Sequence, residues 1–315
     1  MRTRLAPSPT GALHLGNART FLINWLLARQ AGEGIVLRIE DLDGPRIKSG
    51  TDQVAIDDLR WLGMDWDDGP IYQSDRRELY RAAAQKLLDA GAAYPCVCSR
   101  KEIEQAASAP HAEDGAAVYP GTCRGRFKSI AEATAFSGRA PAIRFAVAAD
   151  EIVSFIDGFA GPQSFDVAKQ LGDFVIAKAD GTPAYQLSVV VDDADMGVTH
   201  IVRGDDLLDS TPRQILLYHA LGLDGSIPRY DHLPLVIGED GRRLAKRHGD
   251  TRLATYRAAG VPAGRLRAWL ARSIGVELGD DVQLDQIQAN FDLTRLPRDP
   301  IVFAAVDDLW LRQGL

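Results

Sequence analysis

The chain has 315 residues, 46% of them hydrophobic and 25% charged, with a net charge of −7. This is a globular composition with enough length for a sizeable core, and it excludes a helical membrane span, because no stretch of about 18 apolar residues occurs. The acidic balance argues against indiscriminate nucleic-acid binding, which depends on Lys and Arg, while leaving room for a local basic face. Met1-Arg-Thr-Arg-Leu-Ala-Pro7 carries no apolar signal region, so a cytoplasmic location is expected.

Residues 2–6 read as a short strand, broken by the turn residues Pro7-Ser-Pro-Thr-Gly11. Two prolines stiffen that turn, and Gly11 is expected to adopt an unusual backbone angle. Phe21, Leu22, Trp25, Leu26 and Leu27 predict a helix over 18–31. His14 and Gly16 fall at its start. A helix N-terminus offers unpaired N–H groups and a positive dipole end, which suits a triphosphate. Gly16 would let a ligand approach the backbone, and His14 can donate to a phosphate oxygen. Ile35–Ile39 reads as a buried strand ending in Glu40-Asp-Leu-Asp-Gly44. Open α/β sheets bind ligands at strand C-termini, so Glu40 is a candidate partner for a substrate ammonium, with Asp41 and Asp43 read as structural. Helices are predicted over 51–62 and 76–90. This order of elements predicts a doubly wound α/β domain.

The pattern changes near residue 91. Cys96, Cys98 and Cys123 cluster, which in a cytosolic chain suggests metal or redox chemistry before a disulfide. Their spacing of about 25 residues suits a structural zinc site, and on donor chemistry His111 is a candidate fourth ligand. Residues 104–118 are small and polar and read as a mobile loop. Apolar strands are predicted over Ser188–Val191 and His200–Arg203, and a helix over Thr211–Ala220 with Pro212 in its first turn. Gly241-Arg-Arg-Leu-Ala-Lys-Arg-His-Gly249 is a basic loop between glycines. Beyond 250 the tail reads as helical, with Leu266, Trp269, Leu270 and Ile274 at core spacing. The expected organisation is a first catalytic half (1–90), an insertion with the zinc site (91–184), a second catalytic half (185–250) and a helical C-terminal region (251–315).

The string Arg4-Leu-Ala-Pro-Ser-Pro-Thr-Gly-Ala-Leu-His-Leu-Gly-Asn17 resembles the HIGH signature of class I aminoacyl-tRNA synthetases in its glutamyl form, with Asn17 replacing the final His. Arg243-Leu-Ala-Lys-Arg247 resembles the KMSKS loop, with Lys246 at the second lysine, Arg243 at the first and Ala245 at the serine. The two follow the family's order, roughly 230 residues apart. Residues 185–193 and 202–207 are similar to the same family's pocket segments. The resemblance implies a Rossmann-type catalytic domain that joins L-glutamate to ATP, with Mg²⁺ accompanying the nucleotide. It implies a glutamate pocket built from Arg4, Leu5, Ala6, Pro7, Ser8, Glu40, Tyr185 and Arg203. It assigns ATP to His14, Gly16, Asn17, Arg243 and Lys246, with His14 and Lys246 catalytic and Asp205 and Leu207 near the adenosine. A mobile ammonium meeting the departing pyrophosphate is worth about 3–4 kcal/mol.

Tyr119-Pro-Gly-Thr-Cys123 is similar to the Cys-x-Cys…Tyr-x-x-x-Cys arrangement of short glutamyl paralogues, which implies Zn²⁺ held by Cys96, Cys98, Tyr119 and Cys123, with Tyr119 and His111 as rival fourth ligands. About 65 residues follow Asp250, too few for the helical anticodon-binding half of a canonical glutamyl-tRNA synthetase. The chain is therefore identified as a member of the glutamyl-Q tRNA(Asp) synthetases. This implies tRNA-independent glutamate activation and transfer to the queuosine base at the wobble position of tRNA-Asp. The nearest rival is a canonical enzyme charging a tRNA 3′ end. A monomer without membrane attachment is expected. Arg124, Arg126 and Lys128, with Arg252, Arg257, Arg265, Arg267 and Arg272, form the expected basic face for tRNA.

Overall fold

The computed structural model describes residues 1–9, 11–42, 44, 47–99, 101–103, 118–244 and 250–313. Strands β1 (Arg2–Leu5), β2 (Gly34–Ile39) and β3 (Asp68–Tyr72) form a parallel sheet in the order β1-β2-β3. Ile35, Val36, Leu37 and Ile39 are all buried. Such an apolar run, interrupted only by the buried Arg38, is what a strand needs when helices cover both faces of its sheet. The crossovers carry α1 (Leu15–Ala31), α2 (Thr51–Trp61) and, after β3, α3 (Arg77–Asp89).

Between α3 and the return to the parallel sheet lies a separate antiparallel unit. Strands β4 (Ala93–Cys96), β5 (Ala142–Phe145) and β8 (Phe174–Ala177) pair in the order β4-β5-β8, while β6 (Ile152–Asp157) and β7 (Gly161–Asp166) form a hairpin. The chain then returns as β9 (His200–Gly204), which pairs in parallel with β10 (Arg229–Leu233). The N–H of Thr199 donates to the Arg2 carbonyl at 2.8 Å, and the Thr3 hydroxyl donates to the His200 carbonyl at 2.8 Å. These bonds set β9 beside β1, giving the spatial order β3-β2-β1-β9-β10. The winding reverses between β1 and β9, and such a switch point opens a crevice at the strand C-termini.

Ser188–Val191, predicted as a strand, lies inside the helix Tyr185–Asp195. Its valine run favours a strand locally, but tertiary packing overrides that preference. The helix buries Leu187, Val189 and Val190 together with Asp192 and Asp193, and the carboxylate of Asp192 accepts from Tyr80 and Gln73. The loop at 104–117 lies outside the described residues.

The C-terminal region contains the helices Leu253–Ala258, Ala263–Ser273, Leu284–Asn290 and Ala305–Arg312. Leu266, Trp269, Leu270 and Ile274 are buried in the core shared with β1, β2 and α1. A short strand, β12 (Ile301–Phe303), pairs in parallel with β11 (Val236–Gly238), a detail too brief to show periodicity in sequence. Arg19 on α1 ties the regions together. It is buried, and donates to the carbonyls of Ser273 at 3.2 Å and Pro234 at 2.7 Å. Among the described residues no helix is long and apolar enough to cross a membrane.

Candidate active site

The crevice at the switch point is a cleft of about 340 Å³. Of the sequence-predicted residues, Arg4, Ala6, Ser8, His14, Gly16, Asn17, Glu40, Tyr185, Arg203 and Arg243 line it together. Leu207 and Asp206 join them, whereas Asp205 does not. Two assigned residues sit elsewhere. The Leu5 side chain alternates away from Arg4 and is fully buried in the core, not in the cleft. Pro7 lines a neighbouring depression, and its carbonyl accepts the N–H of Glu40 at 3.0 Å, joining the turn after β1 to the end of β2. Lys246, with the rest of 245–249, lies outside the described residues, as does Asp43. Asp41 behaves as read, accepting from the N–H of Ser74 at 2.8 Å.

His14 caps α1. Its Nδ1 accepts the N–H of Gly16 at 3.1 Å, and the Asn17 side chain accepts the N–H of His14 at 3.3 Å. A ring nitrogen thus takes the part usually played by a Ser or Asp oxygen. Burial, with the nearby charge of Arg243, pulls the imidazole down to about 4 against the opposing charge of Asp206. His14 is therefore neutral near pH 7, with its proton on Nε2 because Nδ1 is an acceptor. A Cβ on Gly16 would lie 3.0 Å from His14 Cε1 and 3.1 Å from Nδ1. The glycine makes room for the histidine ring, a more local reason than the ligand approach inferred from sequence. Across the mouth, Arg243 donates to Asp206 at 2.6 Å.

The opposite end of the cleft is charged. Arg4 reaches the Val202 carbonyl at 3.4 Å and lies 3.6 Å from Asp193. Arg38, fully buried on β2, donates to Asp193 at 2.6 Å and to Glu40 at 3.1 Å. Burial pushes the Glu40 carboxyl up from its ordinary value, and the charges of Arg38 and Arg4 pull it back. Burial also lowers Arg4, with Asp193 opposing and the neighbouring guanidiniums of Arg38 and Arg203 adding to the effect. An anionic group entering here meets Arg4 and Arg203, and a cationic one meets Glu40. Sequence reasoning missed Arg38, Asp192 and Asp193 as parts of this assembly. Their signal was an arginine inside an apolar strand and two acids closing a valine run, since buried charges must be paired.

Arg203 is held from behind. Its Nε donates to His232 Nε2 at 2.9 Å and its Nη2 to the Thr211 hydroxyl at 2.7 Å. His232 Nδ1 in turn lies 2.6 Å from Asp157 Oδ2. Burial, opposed by Asp157, holds His232 below the ordinary imidazole value. Burial works against the Asp157 charge, but its hydrogen bonds with His232 and with backbone N–H groups prevail and hold it below the carboxylate range.

A second cluster sits in the antiparallel unit. The thiol sulfurs of Cys96, Cys98 and Cys123 all lie within 4.8 Å of one another, and the Tyr119 hydroxyl is 3.4 Å from both Cys96 and Cys98. Zn–S bonds of ~2.3 Å in a tetrahedron put sulfurs about 3.8 Å apart, so the donor set could hold a metal ion. Arg144 donates to Cys96 Sγ at 3.3 Å and stacks 4.0 Å over the Tyr119 ring, positive charge beside a potentially anionic set. His111 lies outside the described residues.

Six of the arginines expected in the basic face make internal contacts. Arg124 pairs with Asp173, Arg252 with Asp250, Arg257 with Asp58 and Arg272 with Asp280. Arg265 donates to the Gln313 carbonyl and Arg267 to that of Val282. Acidic side chains thus pair with Arg124, Arg252, Arg257 and Arg272, partners that the sequence positions of these arginines do not reveal.

A family model described as the catalytic domain of class I tRNA synthetases (E and Q) matches residues 1–305. A Glutamyl-Q tRNA(Asp) synthetase of Symbiobacterium thermophilum is 51% identical over 309 residues, covering 95% of this chain and 94% of that protein. The chain belongs to the glutamyl-Q tRNA(Asp) synthetase family. A second member, from Rhodopirellula baltica, is 48% identical over 327 residues, covering 97% of this chain and 96% of that one. The crystal structure of a glutamate tRNA ligase from Elizabethkingia meningosepticum in complex with its amino acid superposes with a TM-score of 0.82 at 30% identity, over 99% of this chain and 68% of that one. The glutamyl-Q tRNA(Asp) synthetase family thus shares its class I catalytic fold with a larger ligase.

Proposed function

We propose that this chain activates L-glutamate with ATP·Mg²⁺ to glutamyl-adenylate, without needing tRNA, and transfers the glutamate to the queuosine base at the wobble position of tRNA-Asp. The observation that carries the activation step is the convergence of two buried arginines and Glu40 with the capped N-terminus of α1 in one cleft. Arg4 and Arg203 take the glutamate carboxylates, and Glu40 takes its ammonium. The α1 N-terminus and the Nε2–H of His14 receive the phosphates. The α-carboxylate then attacks the α-phosphate in line, so the protein contributes positioning and charge and needs no nucleophile of its own. Arg243 and Lys246 meet the pyrophosphate charge as it departs.

The choice of acceptor rests on likeness to proteins named Glutamyl-Q tRNA(Asp) synthetase along nearly their whole length. Cys96, Cys98, Cys123 and Tyr119 hold a structural Zn²⁺ in this reading. The cytoplasm is the expected compartment.

ATP–pyrophosphate exchange over a panel of amino acids, with and without tRNA, tests activation. Glutamate alone should support exchange, and tRNA should be dispensable. Labelled glutamate should then be retained on queuosine-containing tRNA-Asp after nuclease trimming of the 3′ end. Label lost with the 3′ end, or strict dependence of exchange on tRNA, would favour a canonical glutamyl-tRNA synthetase.

A further inference from the structure

We infer that Asp157 and His232 form a positioning relay that sets the orientation of Arg203, and so make the hairpin β6–β7 a determinant of amino-acid binding in the parallel sheet. The inference deepens the glutamate-activation reading and rests on it. Asp157 ends β6, outside the strands that frame the cleft. It nonetheless reaches β10, because the N–H of Gly158 donates to the Tyr230 carbonyl at 2.8 Å and brings the hairpin turn against that strand.

The proton positions follow from donor and acceptor chemistry alone. A guanidinium nitrogen can only donate. Arg203 Nε at 2.9 Å therefore requires His232 Nε2 to be an acceptor, and the ring proton must sit on Nδ1. That proton points at Asp157 Oδ2, 2.6 Å away. The other oxygen, Oδ1, accepts three backbone N–H groups, from Phe159 at 3.0 Å, Ala160 at 2.7 Å and His232 at 3.1 Å. The carboxylate is thus clamped on one side and selects the histidine tautomer on the other. His232 then holds Arg203 Nε while Thr211 holds Nη2. Nη1 is the buried nitrogen left without a hydrogen-bond partner among the described residues, and the relay aims it.

This arrangement makes Asp157→Asn a sharp test. The three backbone donors keep the amide oxygen at the Oδ1 position, which turns the amide NH₂ toward His232 Nδ1. The ring proton must then move to Nε2, where it faces Arg203 Nε donor to donor. An aspartate that chooses a histidine tautomer acts in the same way in the serine-protease triad. In ATP–pyrophosphate exchange, Asp157→Asn should raise the KM for glutamate about tenfold or more while leaving the KM for ATP within about twofold. Long-range ¹H–¹⁵N histidine spectra should show His232 as the Nδ1–H tautomer in the parent and as Nε2–H in the variant. His232→Gln, which can present an oxygen to Arg203, should keep more glutamate affinity than His232→Leu. An active parent whose Asp157→Asn variant has unchanged glutamate KM and unchanged tautomer would overturn the relay alone. A parent showing no glutamate-dependent exchange would overturn the activation reading, and the role given to the relay with it.

Discussion

His14 Nδ1 accepts the backbone N–H of Gly16 at 3.1 Å, so one contact both caps α1 and leaves the imidazole proton on Nε2. His14→Asn separates the two roles, because an amide oxygen can cap the helix but cannot place a ring N–H at the phosphates. Adenylation should fall roughly 10²–10³-fold, with the melting temperature nearly unchanged. His14→Ala should show the same loss and also forfeit about 1 kcal/mol of stability through the missing cap. Pyrophosphate exchange and thermal melts read the two effects separately.

The lowered value of His14 also predicts a pH dependence. The folded protein binds this proton only near pH 4, whereas the unfolded chain binds it near 6.5. Stability from His14 is therefore complete above about 6.5 and is lost as pH falls toward 4. Exchange activity should show no His14-dependent decline between pH 8 and 6. A step near 6.5 that disappears in His14→Asn would contradict the neutral imidazole.

Gly16→Ala should damage the site without unfolding the protein. Alanine favours a helix by about 1 kcal/mol, but its Cβ at 3.0 Å from the His14 ring would push the ring aside. The expected result is a melting temperature close to the parent's, because the helix gain and the loss of the His14 cap, each about 1 kcal/mol, offset each other, with a raised KM for ATP. Unchanged ATP kinetics would show that the ring tolerates displacement.

Arg203→Lys should raise the glutamate KM roughly 10–100-fold with little change for ATP. Arginine spends Nε on His232 and Nη2 on Thr211 and still has Nη1, whereas lysine offers one nitrogen. The range corresponds to losing a charge-assisted hydrogen bond of ~1.5–3 kcal/mol. A glutamate KM that stays at the parent value would remove Arg203 from the pocket.

Asp58, buried between α2 and the C-terminal region, supplies a stability test far from the cleft. Burial pushes its carboxyl up to about 6, and Arg257 at 3.1 Å only partly opposes this. Because the folded value is raised, the contribution of Asp58 to stability declines as pH rises from about 3.8 to 6 and stays low above that. Between pH 4 and pH 8 the difference in stability between Asp58→Asn and the parent should shift toward the variant by roughly 1–3 kcal/mol. Denaturant melts at the two pH values measure it, and a shift of opposite sign would mean that the Arg257 pair dominates.

Metal analysis of protein purified without chelator should give about one zinc per chain. Cys98→Ser should abolish retention. Tyr119→Phe should weaken it and His111→Ala should not, if Tyr119 is the fourth ligand; the reverse pattern would choose His111. Zinc near zero in the parent would sink the site.

Much of the site is local in sequence. The turn after β1 and the first turn of α1 are adjacent in the chain, so Arg4, Ser8, His14, Gly16 and Asn17 reach one cleft by short-range geometry. Glu40 was legible because a strand C-terminus in an α/β sheet faces ligand. The α/β class followed from alternating apolar strands and helices, and the three cysteines from their spacing.

Other features depend on which segments meet. Val189-Val190-Val191 prefers a strand by itself, and helix packing with buried Asp192 and Asp193 decides otherwise. Arg38, Asp193 and Arg4 come from three separate elements and acquire meaning only when burial forces their charges to pair. The internal partners of the tail arginines, Asp58, Asp280 and main-chain carbonyls, are likewise fixed only when distant segments meet. Asp157, His232 and Arg203 stand in the same relation, 75 and 29 residues apart in successive contacts. Short-range patterning by itself determined the α/β class and the helix-capping motif. Long-range pairing of buried charges, whose desolvation cost only a partner can offset, was decided by the tertiary structure alone.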